Sequence, residues 1–279
     1  MRGSHLRFVQ KVGGTAATLV GHDSFVVRAG RPFYEFALRV LSFDRGIPWD
    51  INGSSFRVDP RFRHMLAHDY DAEVADFIRK RVRPGSVCFD VGANIGVYVL
   101  QLARWSGSTG RVVAFEPNPE AAQILRRHVS LNGIDGQVTV VPRAVGSRPG
   151  FLPFFSVGAE GMSRLGAPNA ALEAFAVQST VEVITLDDYV ESTGTAPDWL
   201  IIDVEGFEFE ALAGAKRLIG KRGARTNIVV EFHPQVWSSS GTSAEFARAL
   251  LADLQLRPLP LTGQTDVWRE YGMVYLERV

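Results

Sequence analysis

The chain has 279 residues, 30 Lys plus Arg balanced by 30 Asp plus Glu, and 46 % hydrophobic against 22 % charged residues, a globular composition with room for a sizeable core. Zero net charge argues against a general nucleic-acid binder, which presents a basic surface to phosphate. The single cysteine, Cys88, excludes an internal disulfide and a multi-cysteine metal cluster, and no apolar run approaches the roughly 20 residues that span a bilayer.

In chain order, Met1 to His5 show none of the apolar stretch of an export signal, so the cytoplasm is the expected compartment. Residues 1–75 lack a regular alternation of elements and are expected to form an N-terminal extension or cap. Within them the pattern predicts a helix over Pro32 to Leu41 and a turn-rich segment from Arg45 to Pro60. Arg57, Arg61, Arg63, His64 and His68 form a local basic cluster, read as a solvated face in preference to an anion site.

Residues 76–279 are expected to form one domain. A helix over Ala72 to Arg81 leads in and stops before Pro84-Gly85. The apolar run Ser86 to Asp90 predicts a buried strand, followed by a glycine turn and a helix to Trp105. A second strand spans Arg111 to Glu116. Asn118 is placed to cap the next helix with Pro119 at its first position, and Asn132-Gly133 stops it. Val138 to Val141 is a third strand. Phe151 to Ile184 reads as an insertion with strand-like ends, Phe151 to Val157 and Thr180 to Ile184. Then follow a strand (Trp199 to Val204), a helix (Glu208 to Ile219), a strand (Asn227 to Phe232), a helix (Ala244 to Leu254) and two strands with no helix between them, Leu256 to Leu261 and Gly272 to Arg278. Strands alternating with helices predict a parallel sheet covered on both faces, with an antiparallel hairpin closing one edge.

The most informative segment is Asp90-Val91-Gly92-Ala93-Asn94-Ile95-Gly96, which ends a strand and opens a helix. Glycines there let a ligand approach the backbone. The spacing differs from the Gly-x-Gly-x-x-Gly of dinucleotide binders, and an acid at the strand end would repel a pyrophosphate. It suits a ligand with an ammonium group, as S-adenosylmethionine (SAM) has. The second strand ends in Glu116, 26 residues further on, where an acid can accept hydrogen bonds from both hydroxyls of a ribose.

These segments resemble the FkbM-type family of SAM-dependent methyltransferases. The resemblance is carried by Phe89 to Gly96, Phe115-Glu116-Pro117-Asn118-Pro119, Ala144-Val145-Gly146, Thr185 to Tyr189, Ile202-Asp203-Val204-Glu205-Gly206 and Glu231-Phe232-His233, in that order. It implies an α/β, class I SAM-methyltransferase (Rossmann-like) fold: a seven-stranded, mostly parallel sheet with an antiparallel C-terminal strand. It also implies O-methylation of a hydroxyl on a sugar, glycolipid or polyketide-type natural product. By resemblance, Asp90, Gly92, Ala93, Asn94 and Gly96 would hold the methionine end of SAM. Glu116 would hold the ribose, with Pro117, Asn118, Ala144 and Val145 around the adenine and Asp203 at the edge of the donor site. Where the family's pattern has Lys two residues before the Asp of Asp-Val-Glu-Gly, this chain has Ile201.

A free hydroxyl ionises poorly at neutral pH, so transfer to it needs a base or a metal. Asp203 and Glu205 follow the fourth strand; Glu231 and His233 close the fifth. Ligands in such sheets sit at the carboxyl ends of the strands, so these four can converge. Two mechanisms fit. One is metal-free with His233 or Asp203 as base, and it is preferred. The other places Mg²⁺ on Asp203, Glu205 and Glu231. Plain structural roles also exist: Glu205 beside a helix N-terminus, His233 in a turn before Pro234. Asp203 ends the apolar run Leu200-Ile201-Ile202, where an unpaired carboxylate is costly. Cys88 reads as a core side chain. Phe207, Trp237 and Trp268 are candidates to line an acceptor pocket, Tyr70 and Glu73 to close over the donor, and Ser163-Arg164 to reach the acceptor. The expected partner is a hydroxylated small molecule, with no nucleic acid and no membrane span; a homodimer is left open. The competing readings are a non-catalytic SAM-binding module and a nicotinamide-dependent oxidoreductase.

Overall fold

The computed structural model describes residues 25–159, 163–165, 173–222 and 226–279. The expectation drawn from Met1 to His5 lies outside the described residues. The chain divides into two compact units, Met1–Tyr70 with Ser130–Gly133, and Asp71–Val129 with Ile134–Val279.

In the first unit a helix, α1 (Phe25–Leu41), precedes two strands, β1 (Ile47–Ile51) and β2 (Ser54–Val58). The segment expected to be merely turn-rich is thus a β-hairpin, with Ile47 opposite Val58 and Ile51 opposite Ser54. Its turn is Asn52-Gly53, with φ of 48° and 75°. Two consecutive positive φ values belong to the tight hairpin turn that Asn-Gly favours. Ile47, Ile51, Phe56 and Val58 are buried while Pro48 and Arg57 face out, a period-two alternation. The basic cluster is engaged within this unit. Arg57 donates to the carbonyls of Arg45 and Gly46, Arg61 pairs with Asp59 at 2.8 Å, and Arg63 pairs with Glu35 at 3.2 Å. His68 bonds the Asp50 carbonyl and stacks on Trp49.

The second unit carries the sheet. Its elements are α2 (Ala72–Arg79), β3 (Val87–Val91), α3 (Val97–Ser106), β4 (Arg111–Phe115), α4 (Pro119–Leu131, whose last residues belong to the first unit), β5 (Val138–Val141), β6 (Ala144–Val145), β7 (Gly150–Ser156), β8 (Arg164–Leu165) and β9 (Val177–Ile184). They continue as α5 (Leu186–Thr193), β10 (Trp199–Ile202), α6 (Glu208–Ala213), α7 (Lys216–Arg222), β11 (Asn227–Phe232), α8 (Ala244–Asp253), β12 (Leu256–Pro260) and β13 (Gly272–Arg278). Seven strands form one sheet in the order β12-β13-β11-β10-β3-β4-β5. Only β13 runs antiparallel to both its neighbours, which makes this the class I methyltransferase arrangement expected above.

The central strands are mostly apolar because helices cover both faces; Asp90 and Glu231 stand at or near their carboxyl ends. Phe89 and Phe115 meet edge to face with Tyr189, ring centroids 5.0–5.7 Å apart. Cys88 is buried here, its thiol pushed up to about 12 chiefly by that burial, so it is an inert core side chain. Ile201, in the position where Lys was expected by resemblance, is fully buried opposite Asp90 on β3.

Two features depart from the sequence reading. The predicted helix Glu208 to Ile219 is two helices. At Gly214 a Cβ would lie 2.0 Å from the Gly146 carbonyl oxygen, and the chain turns there. The Asp187 carboxylate then caps α7 by accepting from the amides of Leu218 (2.7 Å) and Arg217 (2.9 Å). The insertion, of which only the two ends were expected as strands, builds a second sheet in the order β6-β9-β7-β8 with Phe154, Leu165, Val181 and Val183 in its own small core.

Candidate active site

The glycine loop after β3, expected to cradle the donor, is shaped by its backbone. Gly92 has φ 88°, and a Cβ there would lie 1.7 Å from the Asp203 carbonyl oxygen, so only glycine fits between β3 and β10. Gly96 has φ 96°, and a Cβ would meet Leu125 at 2.4 Å. The amides of Gly92 and Ala93 donate to the Phe115 carbonyl at 3.0 and 3.1 Å, tying the loop to the end of β4. Asn94 also has a left-handed backbone, φ 46°, and its side-chain oxygen accepts from the Ile95 amide.

Two buried acids face this loop. The Asp90 Oδ2 is buried without a hydrogen-bond partner, and burial, then the charge of Glu116, pushes the carboxyl up to about 7. Glu116 accepts from the Asn94 amide through Oε2 and from the Asn118 amide through Oε1, both at 2.7 Å. Burial outweighs these bonds and raises it to about 7. Each oxygen keeps a further lone pair for a ligand hydroxyl. Asn118 caps α4 as expected, its Oδ1 accepting from Glu120 N at 3.0 Å. Its Nδ2 donates to the Gly158 carbonyl, which holds the insertion loop in place. Ala144 and Val145 are buried on β6.

The orphaned Asp90 oxygen and the side-chain-free cradle fit the SAM implied by the sequence. A cation at Asp90 would remove the cost of ionising it.

The second part of the site lies where β10 and β11 end side by side. Asp203 and Glu205 leave β10; Glu231 and His233 come from the end of β11. His233 Nε2 stands 4.0 Å from Asp203 Oδ1, 3.7 Å from Glu205 Oε2 and 3.6 Å from Glu231 Oε2. Oxygens of Asp203 and Glu231 and a nitrogen of His233 lie within 4.8 Å of one another. Glu205 is held in the left-handed region, φ 51°, a strained conformation for a residue with a side chain. It is followed by Gly206 at φ 104°.

The sequence reading missed Glu208. It is fully buried and accepts three bonds: from the Gly206 amide at 2.8 Å, from His233 Nδ1 at 2.5 Å and from Trp237 Nε1 at 3.1 Å. Burial alone would lower the His233 pKa. Its bond to Glu208 and the charges of Glu208, Glu205 and Glu231 outweigh that and raise it to about 9. Burial, followed by the charge of Glu231 and a hydrogen bond to it, holds Asp203 well above the usual carboxylate range. Glu205 is also raised, mainly by burial. With protons alone to balance the cluster, the imidazole is therefore a fixed cation near neutral pH.

Two more residues join from distant elements. The Tyr271 hydroxyl bonds Glu231, and burial with that bond raises its pKa. Asp71, just before α2, accepts from Tyr98 at 3.0 Å and is raised by burial and by the charge of Glu231. Arg164 on β8 is buried, and its charge acts on Glu205, so the insertion does supply a residue to this end. Trp237 is buried in the main core against Phe209 and Phe232 and donates to Glu208. Phe207 packs in the small core of the insertion. Trp268 packs on the main core under Arg248. Glu73 is an exposed first-turn residue of α2.

The family whose model matches the chain is the Methyltransferase FkbM domain, over residues 90–258. Among curated proteins, the ribosomal protein L11 methyltransferase of Pelotomaculum thermopropionicum is 39 % identical over 64 residues, which is 23 % of this chain and 20 % of that protein. The chain thus spans about a fifth of that relative. Among solved structures, the methyltransferase FkbM of Methylobacillus flagellatus KT is similar at a TM-score of 0.48 and 18 % identity, over 71 % of this chain and 44 % of that one. The fibrillarin of Aeropyrum pernix, solved with natively bound SAM, is similar at a TM-score of 0.44 and 13 % identity, over 83 % and 82 %. SAM is the methyl donor expected of such a family, and the oxidoreductase reading falls away. Because the family match spans more than half of the chain, the chain belongs to the FkbM methyltransferases.

Proposed function

We propose that the protein is a SAM-dependent O-methyltransferase acting on a hydroxyl of a small molecule: a sugar, a glycolipid or a polyketide-type natural product. The observation that carries this is the set of ionisable groups at the ends of β10 and β11, Asp203, Glu205, Glu231 and His233, directly beside the glycine cradle. Gly92 and the Asp203 carbonyl are in van der Waals contact, so donor site and acid cluster are continuous.

Bound SAM would supply an activated methyl group with its own leaving group. The chain must then hold the donor, align the acceptor and take its proton. Asp90 accepts from the donor's ammonium; Gly92, Ala93, Asn94 and Gly96 let it lie against the backbone. Glu116 would accept from the ribose, and Pro117, Asn118, Ala144 and Val145 would border the adenine. His233, held as a cation by Glu208, is a poor base in the proton-loaded form, which makes the carboxyls Asp203 and Glu231 the proton acceptors. Neutral net charge supports an acceptor that is not nucleic acid, and a cytoplasmic setting remains part of the proposal.

The test is turnover of methyl-labelled SAM against hydroxylated metabolites, with the labelled atom identified. Label on an oxygen, lost in Asp203→Asn while S-adenosylhomocysteine still binds, is the expected result. Label on nitrogen or carbon, or on a ribosomal protein, would overturn the O-methylation reading. Binding without turnover would favour the non-catalytic module.

A further inference from the structure

Resting on this reading of the site, we infer that Asp203, Glu231 and His233, with Glu205 as a fourth ligand, form a binding site for a first-row divalent transition ion, not for Mg²⁺. The side chain of His233 is 8 % exposed and that of Glu231 9 %, so both are nine-tenths buried. His233 Nε2 is aimed at three carboxylate oxygens yet hydrogen-bonds none of them, at 3.6, 3.7 and 4.0 Å. A direct hydrogen bond would draw one oxygen to about 3 Å. These longer separations, with the Asp203 and Glu231 oxygens and the imidazole nitrogen all within 4.8 Å of one another, leave room for an ion between them. Bonds of about 2.0–2.2 Å in tetrahedral array place ligand atoms roughly 3.4 Å apart, so small shifts would close the set on an ion.

The support of the imidazole points the same way. Metal-bound histidines usually give their other ring N–H to a carboxylate, which fixes the tautomer and aims the free nitrogen. Glu208 does this here: fully buried, it takes the Nδ1 proton at 2.5 Å and is itself fixed by Gly206 N and Trp237 Nε1. Nε2 is thereby the atom presented to the acids. An imidazole in the set selects Mn²⁺, Fe²⁺, Co²⁺ or Zn²⁺ over Mg²⁺, which prefers oxygen ligands and water. Asp203, Glu205 and Glu231 all stand within 4.0 Å of the same imidazole nitrogen, a concentration of oxygen donors around one nitrogen donor.

Mn²⁺ titrated into the full chain, with free ion followed by electron paramagnetic resonance, should reveal one saturable site. Asp203→Asn and Glu231→Gln should each weaken it at least tenfold, and Glu208→Gln about tenfold to a hundredfold. A tenfold excess of Mg²⁺ should leave the ion bound. No saturable site, or unchanged affinity in both Asp203→Asn and Glu231→Gln, overturns the inference; displacement by equal Mg²⁺ overturns the choice of ion. Calorimetry with S-adenosylhomocysteine on the same samples reports whether each variant is folded. It also separates the two ideas. Wild-type protein that binds the nucleoside but no Mn²⁺ loses only the metal site, whereas protein that binds Mn²⁺ but no nucleoside loses the methyltransferase reading.

Discussion

The donor cradle and the acid cluster touch at one point but are made in opposite ways. The cradle is held by main chain: glycine turns, amides donating to Phe115, and a Glu116 whose two oxygens are oriented by two peptide N–H groups. The cluster is held by side chains of β10, β11 and the residues around them, hinged on a buried glutamate that meets an imidazole and an indole. A cradle of backbone fits one invariant ligand. A bowl of side chains can be retuned by substitution, which suits the partner that differs among enzymes of one fold.

The comparison can be broken most sharply at the shared contact. Gly92→Ala forces a Cβ to 1.7 Å from the Asp203 oxygen at φ 88°. It should cost both functions together, with affinity for S-adenosylhomocysteine down at least a hundredfold and a clearly lower melting temperature. Near-normal binding would show that the two halves are not coupled there. Next in size, Asp203→Asn should lower turnover about 10²–10⁴-fold with donor affinity within threefold of wild type. Glu116→Ala should do the reverse, weakening donor binding at least tenfold by calorimetry. Equal loss of binding in both variants would erase the division of labour.

Trp237→Phe removes one bond to Glu208 while keeping an aromatic ring in the core. Its expected cost is about 1–2 kcal/mol of stability and a few-fold loss of turnover, measured by denaturant melts and initial rates. The smallest effect concerns pH. The folded pKa of Asp90 is about 7, above its value near 3.9 in an unfolded chain. Its contribution to stability is therefore complete below about pH 4 and is lost as pH rises through 7. Asp90→Asn should flatten the fall in melting temperature between pH 5 and pH 8 by a few degrees, and a matching slope in wild type and variant would refute the assignment.

Much of this was legible in the chain itself. Apolar runs alternating with amphipathic helices announced the sheet, and the Asp90 to Gly96 segment announced the glycine turn between β3 and α3, because both depend on neighbours in sequence. Asn118 was readable as a cap for the same reason. Glu208 was not, because its partners His233 and Trp237 lie 25 and 29 residues away and a helix-opening glutamate looks ordinary. Asp71 and Tyr271 reach the cluster from opposite ends of the unit, with no local signature. The break in the helix after Ala213 depends on a carbonyl of Gly146, which no window around Gly214 contains. The β1–β2 hairpin is the exception: Asn52-Gly53 between alternating apolar residues was a local signal, and Pro48 on a two-stranded edge does not contradict it.

The Gly146–Gly214 contact has a bearing on how this scaffold can be re-engineered. Both glycines lie outside Phe151 to Ile184, so the peg that locks the small sheet's first turn against the α6–α7 junction stays behind when that segment is exchanged. The segment is therefore a natural cassette. A donor sequence needs a branched residue in place of Val183, which covers Gly146 and pairs with Ala144, apolar residues that pack on Phe207, and loop carbonyls that Asn118 and Asn94 can grip in place of those of Gly158 and Ala159, which lie in the exchanged stretch. Under those constraints the residue now supplied by Arg164, whose charge acts on Glu205, becomes the position to vary.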